Sequence, residues 1–429
     1  MEYRFKVGED SARKLDRADP LAKFRDKFYV PNDAIYVDGN SLGLLSRDSE
    51  ESVLRVLSEW KKLAVRGWLE AKPSWFYFSE ELGASCARLV GARPEEVVAT
   101  GMTTVNIHSL VNTFYEPRIG RSRILADELT FPTDIYALRS LVRLRGLDPR
   151  RDLVLSQSED GRFLDEKKII EMMDDRVALV FLPSVLYRSG QLLDVQRLTK
   201  EAHNRNILIG FDCSHSVGVV PHHFDEWNVD FALWCSYKYL NGGPGGTAFI
   251  YVNRRHFEHE PALAGWFGHV KEKQFDFSID FEHSKSAGGW QISSPTMLSL
   301  APLEGSLKVI LEAGIDTIRN KSLKMTSYLI FLVDKLLSER PYNFSVGTPR
   351  EAERRGGHVA VEHEEGMRIS EALRARDVIS DFRPPNVIRI APIPLYNAYH
   401  EVWRVVQHLK AIIDLKEYRR FPKKRRKIS

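Results

Sequence analysis

The chain has 429 residues, of which 43% are hydrophobic and 28% are charged. It is too long for one small core, and its composition is that of a soluble globular protein rather than a disordered one. The formal net charge is +4, but residues 419–429 carry seven basic side chains and no acidic ones. Subtracting those seven charges leaves −3 for the remaining residues, so the body is mildly acidic and only the tail is basic.

The three cysteines are far apart in sequence, and an odd number gives no disulfide framework. Residues 1–6 lack the apolar core of a signal peptide, and the apolar run at 177–187 is too short to span a bilayer. We therefore expect a cytoplasmic protein with no membrane segment.

Residues 1–45 are predicted to form a charged amino-terminal arm that borders the functional site. A short strand within 34–43 ends in Asn40 and Ser41, which lie between two glycines. Glycine permits close approach of the backbone to a ligand, although an ordinary turn has the same composition. A helix is predicted from Ser49 to Leu63, followed by Trp68 as a core or interface aromatic.

A strand at 96–100 precedes a helix at 105–115, and Thr103 or Thr104 is predicted to cap that helix. The free amides of a helix amino terminus can bind a phosphate, but every helix begins with them. After a strand at 123–126, the segment 131–134 opens another helix. The Phe131 side chain could stack on the ring of a bound ligand, and the helix dipole favours the negative charge of Asp134 at this position.

Between residues 151 and 252 apolar strands alternate with amphipathic helices, which predicts a parallel sheet covered on both faces. We assign 46–300 to a large domain and 301–418 to a smaller α/β domain, which is predicted to begin with one long helix at 303–337. The segment 419–429 is predicted to be an exposed basic tail. No aromatic-rich groove accompanies it, so nucleic-acid binding is disfavoured.

Two pairs of histidines, at 222–223 and at 256 and 259, lack a third ligand at a convincing spacing. We predict no metal site and interpret these histidines as solvated surface residues.

Two apolar strands each run into a charged residue, Asp212 after 207–211 and Lys238 after 230–237. An ammonium or a carboxylate at the end of a buried strand needs a partner. Pyridoxal phosphate supplies a partner for each group, because its aldehyde condenses with a lysine and its protonated ring nitrogen pairs with a carboxylate. The alternative is a buried Lys–Asp ion pair, and the two residues alone do not decide between them.

Five segments carry a resemblance to the kynureninases, within the fold-type I pyridoxal-phosphate superfamily: 39–43, 131–134, 234–241, 265–269 and 389–396. They span most of the chain in the family's order. The resemblance implies the fold-type I PLP-dependent transferase fold, with a mainly parallel large domain and a smaller α/β carboxy-terminal domain.

The resemblance also implies roles for individual residues. Lys238, Tyr237 and Asp212 are expected to be catalytic. Substrate contacts are expected at Asn40, Ser41, Trp68 and Arg389, with Arg389 gripping a carboxylate. The expected contacts with pyridoxal 5'-phosphate are Thr103, Thr104, Phe131, Pro132, Thr133, Asp134, Ser184, Asp212, His215, Tyr237, Lys238, Trp266 and Ser294.

The implied activity is hydrolytic cleavage of the Cβ–Cγ bond of L-kynurenine to anthranilate and L-alanine, in tryptophan catabolism and NAD biosynthesis. The implied assembly is a homodimer with shared active sites. Trp68 and Ser294 favour kynurenine over its 3-hydroxy derivative, because animal family members carry histidine and asparagine at these positions.

Three alternatives remain open from the sequence. A Cys213–His215 nucleophilic pair could replace the cofactor chemistry, although nothing in the pattern activates either residue. Another fold-type I enzyme acting on a β-substituted amino acid is the second alternative; a desulfurase would need a cysteine on a mobile loop, and none follows Cys235. The third is a catalytically silent scaffold with a nucleic-acid-binding tail.

Overall fold

The strands form three sheets in a computed structural model that describes residues 4–423. The strands are β1 Ile35–Tyr36, β2 Val97–Ala99, β3 Arg123–Asp127, β4 Leu153–Ser156, β5 Val177–Pro183, β6 Leu208–Asp212, β7 Phe231–Trp234, β8 Phe249–Val252, β9 Ser345–Val346, β10 Val359–Glu362, β11 Val378–Ile379, β12 Asp381–Arg383 and β13 Val387–Ile390. A seven-stranded sheet has the order β2-β8-β7-β6-β5-β3-β4, a four-stranded sheet has the order β12-β13-β10-β9, and β1 pairs with β11.

Helices cover the sheets on the outside. They are α1 Glu9–Arg17, α2 Arg47–Leu63, α3 Gly67–Glu70, α4 Phe78–Val90, α5 Thr103–Phe114, α6 Pro132–Leu144, α7 Pro149–Asp152, α8 Glu166–Glu171, α9 Val195–His203, α10 Phe224–Trp227, α11 Met297–Ala313, α12 Ile315–Leu336, α13 Gly366–Arg374 and α14 Tyr399–Asp414. Between residues 4 and 423, no helix combines the length and the apolarity needed to cross a bilayer.

The seven-stranded sheet is mainly parallel; only β8 runs against its neighbours. Side chains of one strand alternate between two cores, as shown by β5: Leu179 and Phe181 belong to one core, and Val180 and Leu182 to the other. A sheet buried on both faces requires such continuously apolar strands. The predicted mainly parallel α/β fold is confirmed.

The predicted single helix at 303–337 is wrong. Two helices occupy this region, and Gly314 separates them with a φ of +79°. Helical residues need a negative φ, and only glycine adopts the positive value at little cost, so the chain changes direction here. The helix α12 then packs with α14 against the four-stranded antiparallel sheet around a third core.

The amino-terminal arm is attached to the four-stranded part of the molecule. Asp16 accepts hydrogen bonds from the backbone N–H groups of Tyr399 and His400 at the start of α14, at 2.6 and 3.1 Å. Asp19 forms a buried 2.6 Å ion pair with Lys321 of α12. The arm then continues through β1, whose pairing with β11 fixes the path of the residues that enter the site.

At the other end of the chain, residues 417–420 form a short helical turn, in which Glu417 pairs with Arg376 at 2.7 Å. Most of the predicted basic tail, residues 424–429, lies outside the described residues.

Candidate active site

The site lies where the carboxyl ends of β6 and β7 meet. Asp212 is the last residue of β6, and Lys238 follows β7 by four residues. Both line one cavity of about 260 Å³, at the sheet edge where open α/β folds bind ligands. The predicted residues that line it are Asn40, Ser41, Thr103, Thr104, Phe131, Thr133, Asp212, His215, Tyr237, Lys238 and Arg389.

The remaining predicted residues do not line this cavity. Asp134 and Ser184 are buried beside it: Asp134 accepts a hydrogen bond from Thr130 at 2.8 Å, and the Ser184 hydroxyl contacts Ser216 at 2.7 Å. Pro132 is the exposed first residue of α6. Trp68, Trp266 and Ser294 lie together on a separate surface.

Lys238 and His215 are in hydrogen-bond contact inside the cavity. The Lys238 Nζ lies 2.9 Å from Nε2 of His215. Burial, together with the positive charge of Lys238, holds the pKa of His215 well below its usual range. His215 is therefore neutral and its Nε2 can accept a hydrogen bond from the Lys238 amino group, while its Nδ1 has no partner among the described residues.

Three buried carboxyl groups lie at and behind the cavity. Burial raises the pKa of Asp212, and Lys238 and the hydrogen bond from Ser214 oppose this effect. Burial and the nearby Asp212 raise the pKa of Asp134, and burial raises the pKa of Asp127 to about 7. A cation bound in the cavity would favour the ionised form of Asp212, so the site fits the protonated ring nitrogen of the predicted cofactor.

Two helices begin at the cavity. The first turns of α5 and α6 place Thr104 and Thr133 with their hydroxyls 3.0 Å apart. Free backbone N–H groups in the first turn of a helix and the positive end of its dipole favour an anion. In α6, Pro132 has no N–H and the N–H of Asp134 donates to the carbonyl of Phe131 at 3.0 Å. The prediction that a threonine caps α5 is wrong, because the extended residue Met102 precedes the helix and Thr103 is already helical.

The amino-terminal arm reaches the cavity through a tight backbone contact. The N–H of Gly43 donates to the carbonyl of Tyr237 at 2.7 Å, and a Cβ at Gly43 would overlap the carbonyl oxygen of Lys238. Asn40 is fully buried, and neither atom of its side-chain amide has a partner among the described residues. The arm thus supplies polar groups that a ligand can satisfy.

Arg389 is 1% exposed and only partly paired. It forms an ion pair with Asp381, and it donates to Ser41 Oγ at 3.0 Å and to the carbonyl of Tyr187 at 2.8 Å. Its Nε has no hydrogen-bond partner among the described residues. A guanidinium N–H group is therefore available to a ligand carboxylate.

Sequence reasoning missed Ser214, Arg383 and Asp381. Ser214 and Arg383 line the cavity, and Asp381 pairs with Arg383 at 2.8 Å as well as with Arg389. The available signal was the spacing of Asp381 and Arg383, which places them on one face of a strand. Only the pairing of β12 with β13 shows that this face meets Arg389.

The second surface is apolar and mostly exposed; we call it the aromatic face. Trp68 and Trp266 contact Phe267 with ring centroids 5.9 and 5.8 Å apart, and Trp266 is 48% exposed. The aromatic face consists of Val65, Arg66, Trp68, Leu69, Glu70, Phe76, Trp266, Phe267, Phe275 and Ser294.

The interpretation of the four histidines as surface residues holds for His223 and His259, which are exposed, and is wrong for His222 and His256. His222 and His256 are 2% and 7% exposed; the first contacts Ser216 at 2.8 Å and the second Asp230 at 2.7 Å. These contacts satisfy buried polar groups. Among the described residues, no group of three or more potential ligands could hold a metal ion.

Solved structures share this fold. The apo cysteine desulfurase of Thermococcus onnurineus NA1 superposes with a TM-score of 0.76 at 19% identity, covering 96% of this chain and 100% of that one. A mutant of C-DES with glycine covalently linked to its PLP cofactor gives a TM-score of 0.77 at 14% identity, covering 90% and 98%. Fold and site together define an α/β protein of the fold-type I pyridoxal-phosphate class.

Comparison with related sequences identifies the family of this chain. The model of the kynureninase C-terminal domain matches residues 318–409. The kynureninase of Geobacillus thermodenitrificans (strain NG80-2) is 56% identical over 414 residues, 96% of each chain, and that of Bacillus anthracis is 52% identical over 421 residues, 98% of each. The chain belongs to the kynureninase family.

Proposed function

We propose that this protein uses pyridoxal 5'-phosphate to hydrolyse the Cβ–Cγ bond of L-kynurenine to anthranilate and L-alanine, a step of tryptophan catabolism and NAD biosynthesis. The observation that carries the proposal is the shared cavity of Lys238, Asp212 and Arg389. An amine, a carboxylate and a guanidinium are the groups needed for the cofactor aldehyde, its ring nitrogen and an amino-acid carboxylate.

The residues around the cavity fit this cofactor. Lys238 would hold the aldehyde carbon, Asp212 the ring nitrogen, and the first turns of α5 and α6 the phosphate. Phe131 offers a ring face, and Asp134 lies close enough to Asp212 for that carboxylate to raise the pKa of Asp134. When bound, the cofactor supplies an electron sink for the bonds broken at the substrate. The proposed cofactor contacts are Thr103, Thr104, Phe131, Thr133, Asp212, His215, Tyr237 and Lys238, which line the cavity. Pro132, Asp134 and Ser184 are proposed to act from beside it.

The chain's own residues bind the substrate and move its protons. Lys238 takes the proton from Cα, because its amine opens into the cavity beside a neutral His215. Burial raises the pKa of Tyr237 above its usual value, so its phenol stays protonated at neutral pH and donates a proton after the bond is cleaved. Arg389 binds the α-carboxylate, and Asn40 and Ser41 border the bound amino acid.

We infer that the active form is a homodimer in which the aromatic face of one subunit meets the cavity of the other. Exposed indole and phenyl rings on one surface are typical of an interface. In this assembly Trp266 and Ser294 would contact the partner's cofactor, and Trp68 would contact the substrate ring. An indole offers an apolar contact to that ring, which favours kynurenine over its 3-hydroxy derivative.

The buried cysteines disfavour a desulfurase. Cys86, Cys213 and Cys235 are free and buried, and burial raises the pKa of Cys213 to about 12. Burial favours the neutral thiol over the nucleophilic thiolate, which also disfavours the Cys213–His215 alternative. Three unpaired thiols also support our proposal of a cytoplasmic location.

The test is a product measurement. Purified protein supplemented with pyridoxal phosphate is incubated with L-kynurenine, and anthranilate and alanine are quantified together. We expect equal amounts of both, and slower turnover of 3-hydroxykynurenine. Bound cofactor without either product would overturn the proposed substrate.

A further inference from the structure

The cavity is lined by a second arginine, Arg383, besides Arg389. Arg383 ends β12, which pairs antiparallel with β13 so that Asp381 lies opposite Arg389. Residues 381 and 383 are two apart on a strand and share one face. Both arginines therefore reach the same wall of the cavity.

One carboxylate oxygen anchors both guanidinium groups. Oδ2 of Asp381 accepts from Arg383 at 2.8 Å and also from Arg389. The side chain of Arg389 is 1% exposed and that of Arg383 is 28% exposed. Arg389 thus lies deep in the wall and Arg383 nearer the opening, with Asp381 between them.

Each arginine keeps an unused donor. The Nε atoms of Arg383 and Arg389 are both buried and have no hydrogen-bond partner among the described residues. Leaving a buried donor unpaired costs free energy, which a ligand acceptor would recover. The nearby Asp38 occupies neither donor; its Oδ1 accepts from the Ser41 hydroxyl at 2.7 Å.

A ligand carboxylate matches this arrangement. Its two oxygens accept several hydrogen bonds in one plane, which suits two guanidinium groups held by a common anchor. The aromatic ring of Tyr187 lies 6.0 Å from the Arg383 guanidinium carbon and limits where that group can move.

We propose that Arg383 binds the α-carboxylate of the amino-acid substrate together with Arg389, with Asp381 as their shared anchor. The inference rests on the proposed amino-acid chemistry, and it adds a residue that determines specificity for a carboxylate over a neutral group.

The test compares two small probes on the enzyme loaded with pyridoxal phosphate. L-Alanine carries the carboxylate, and L-alaninamide carries a neutral amide in its place. Equilibrium dissociation constants come from the change in cofactor absorbance. Arg383→Gln is expected to raise the dissociation constant of L-alanine about tenfold or more, because it removes a charge-assisted hydrogen bond. The dissociation constant of L-alaninamide should change by less than about twofold.

The matched control is Arg374→Gln. Arg374 lies on α13, 3.7 Å from Glu371 and outside the cavity, so its loss leaves both constants unchanged. If Arg383→Gln disturbs folding, judged by circular dichroism and cofactor content, Arg383→Lys replaces it. Lysine keeps the positive charge but lacks the paired N–H donors of a guanidinium. We therefore expect the affinity for L-alanine to fall less than in Arg383→Gln.

A purely structural role for Arg383 would act through Asp381. Arg383→Gln is therefore also measured in an Asp381→Asn background, where direct binding predicts that the selective loss persists. The proposal is overturned if the loss disappears there, or if Arg383→Gln weakens both probes equally. An enzyme that binds L-alanine but releases no anthranilate would refute the proposed reaction and leave this carboxylate site standing.

Discussion

The cavity at Lys238 and the aromatic face are opposite in character. The cavity holds charged side chains and buried polar atoms that have no partner in the part of the chain that the structure describes, such as the Asn40 amide and Nδ1 of His215. The aromatic face holds indole and phenyl rings that remain exposed, such as Trp266 and Phe275. Within residues 4–423, the cavity therefore has polar atoms that no hydrogen bond satisfies, and the aromatic face has rings that are only partly covered.

The difference indicates what each region binds. Buried polar atoms lose free energy until a polar ligand pairs with them, so the cavity is adapted to a small charged molecule. Covering exposed rings with another apolar surface is favourable, so the aromatic face suits the second subunit that we propose. Substitutions in the two regions should therefore change different measurements.

Lys238→Ala should have the largest effect. Without the amine that holds the aldehyde and moves the Cα proton, kcat should fall by about 10⁴-fold, and the absorbance of the lysine-bound cofactor should vanish. Turnover and spectra are compared with Lys285→Ala, which removes an exposed lysine paired with Glu258. A covalent yellow adduct in Lys238→Ala would place the anchor elsewhere.

Asp212→Asn should come next. The amide keeps an oxygen for the N–H of Ser214, which donates to Asp212 at 2.8 Å, but it removes the charge that keeps the ring nitrogen protonated. We expect normal folding and bound cofactor with a loss of about 10³-fold in kcat. Asp165→Asn is the control, because asparagine caps a helix as well as aspartate does. Near-normal turnover would refute the role of Asp212.

Asp127→Asn tests how much the ionisation of a buried carboxyl group behind the cavity lowers the stability of the folded protein. Burial raises the pKa of Asp127 in the folded chain to about 7 from 3.8, so the folded state binds more protons than the unfolded state between these values. Stability is therefore highest below pH 4 for this group and falls as pH rises to 7.

The amide cannot ionise and keeps the acceptor for the N–H of Leu129. The free energy of unfolding of Asp127→Asn, minus that of wild type, should rise by about 3 kcal/mol from pH 5 to pH 8. Urea denaturation at both values measures this, with the exposed Asp175→Asn as control. Parallel pH profiles of Asp127→Asn and wild type would show that Asp127 is already ionised at pH 5.

Leu69→Glu should have the smallest effect, and only on assembly. Leu69 lies on the aromatic face and is 70% exposed, so a charge there costs the monomer little but weakens the proposed dimer about tenfold. Sedimentation velocity measures the dissociation constant, with Leu144→Glu as control because Leu144 is 73% exposed on α6. Equal dimerisation of both variants would exclude the aromatic face as the interface.

The sequence by itself predicted the parallel sheet and the two charged residues at the carboxyl ends of its strands. Apolar runs that end in Asp212 and Lys238 encode buried strands with charged ends, and strand order places such ends together. Those are local patterns, and burial of a continuous apolar run leaves few alternatives. The sequence pattern did not reveal that the helix is interrupted at Gly314, because apolar residues continue on both sides of this glycine.

Only the tertiary structure decided which distant segments complete the site. Asn40 and Ser41 reach the cavity because β1 pairs with β11, and Arg383 faces Arg389 because β12 pairs with β13. It also separated Trp68 and Trp266 from Lys238. Strand pairing and packing join residues hundreds of positions apart, and no local spacing in the sequence records those contacts.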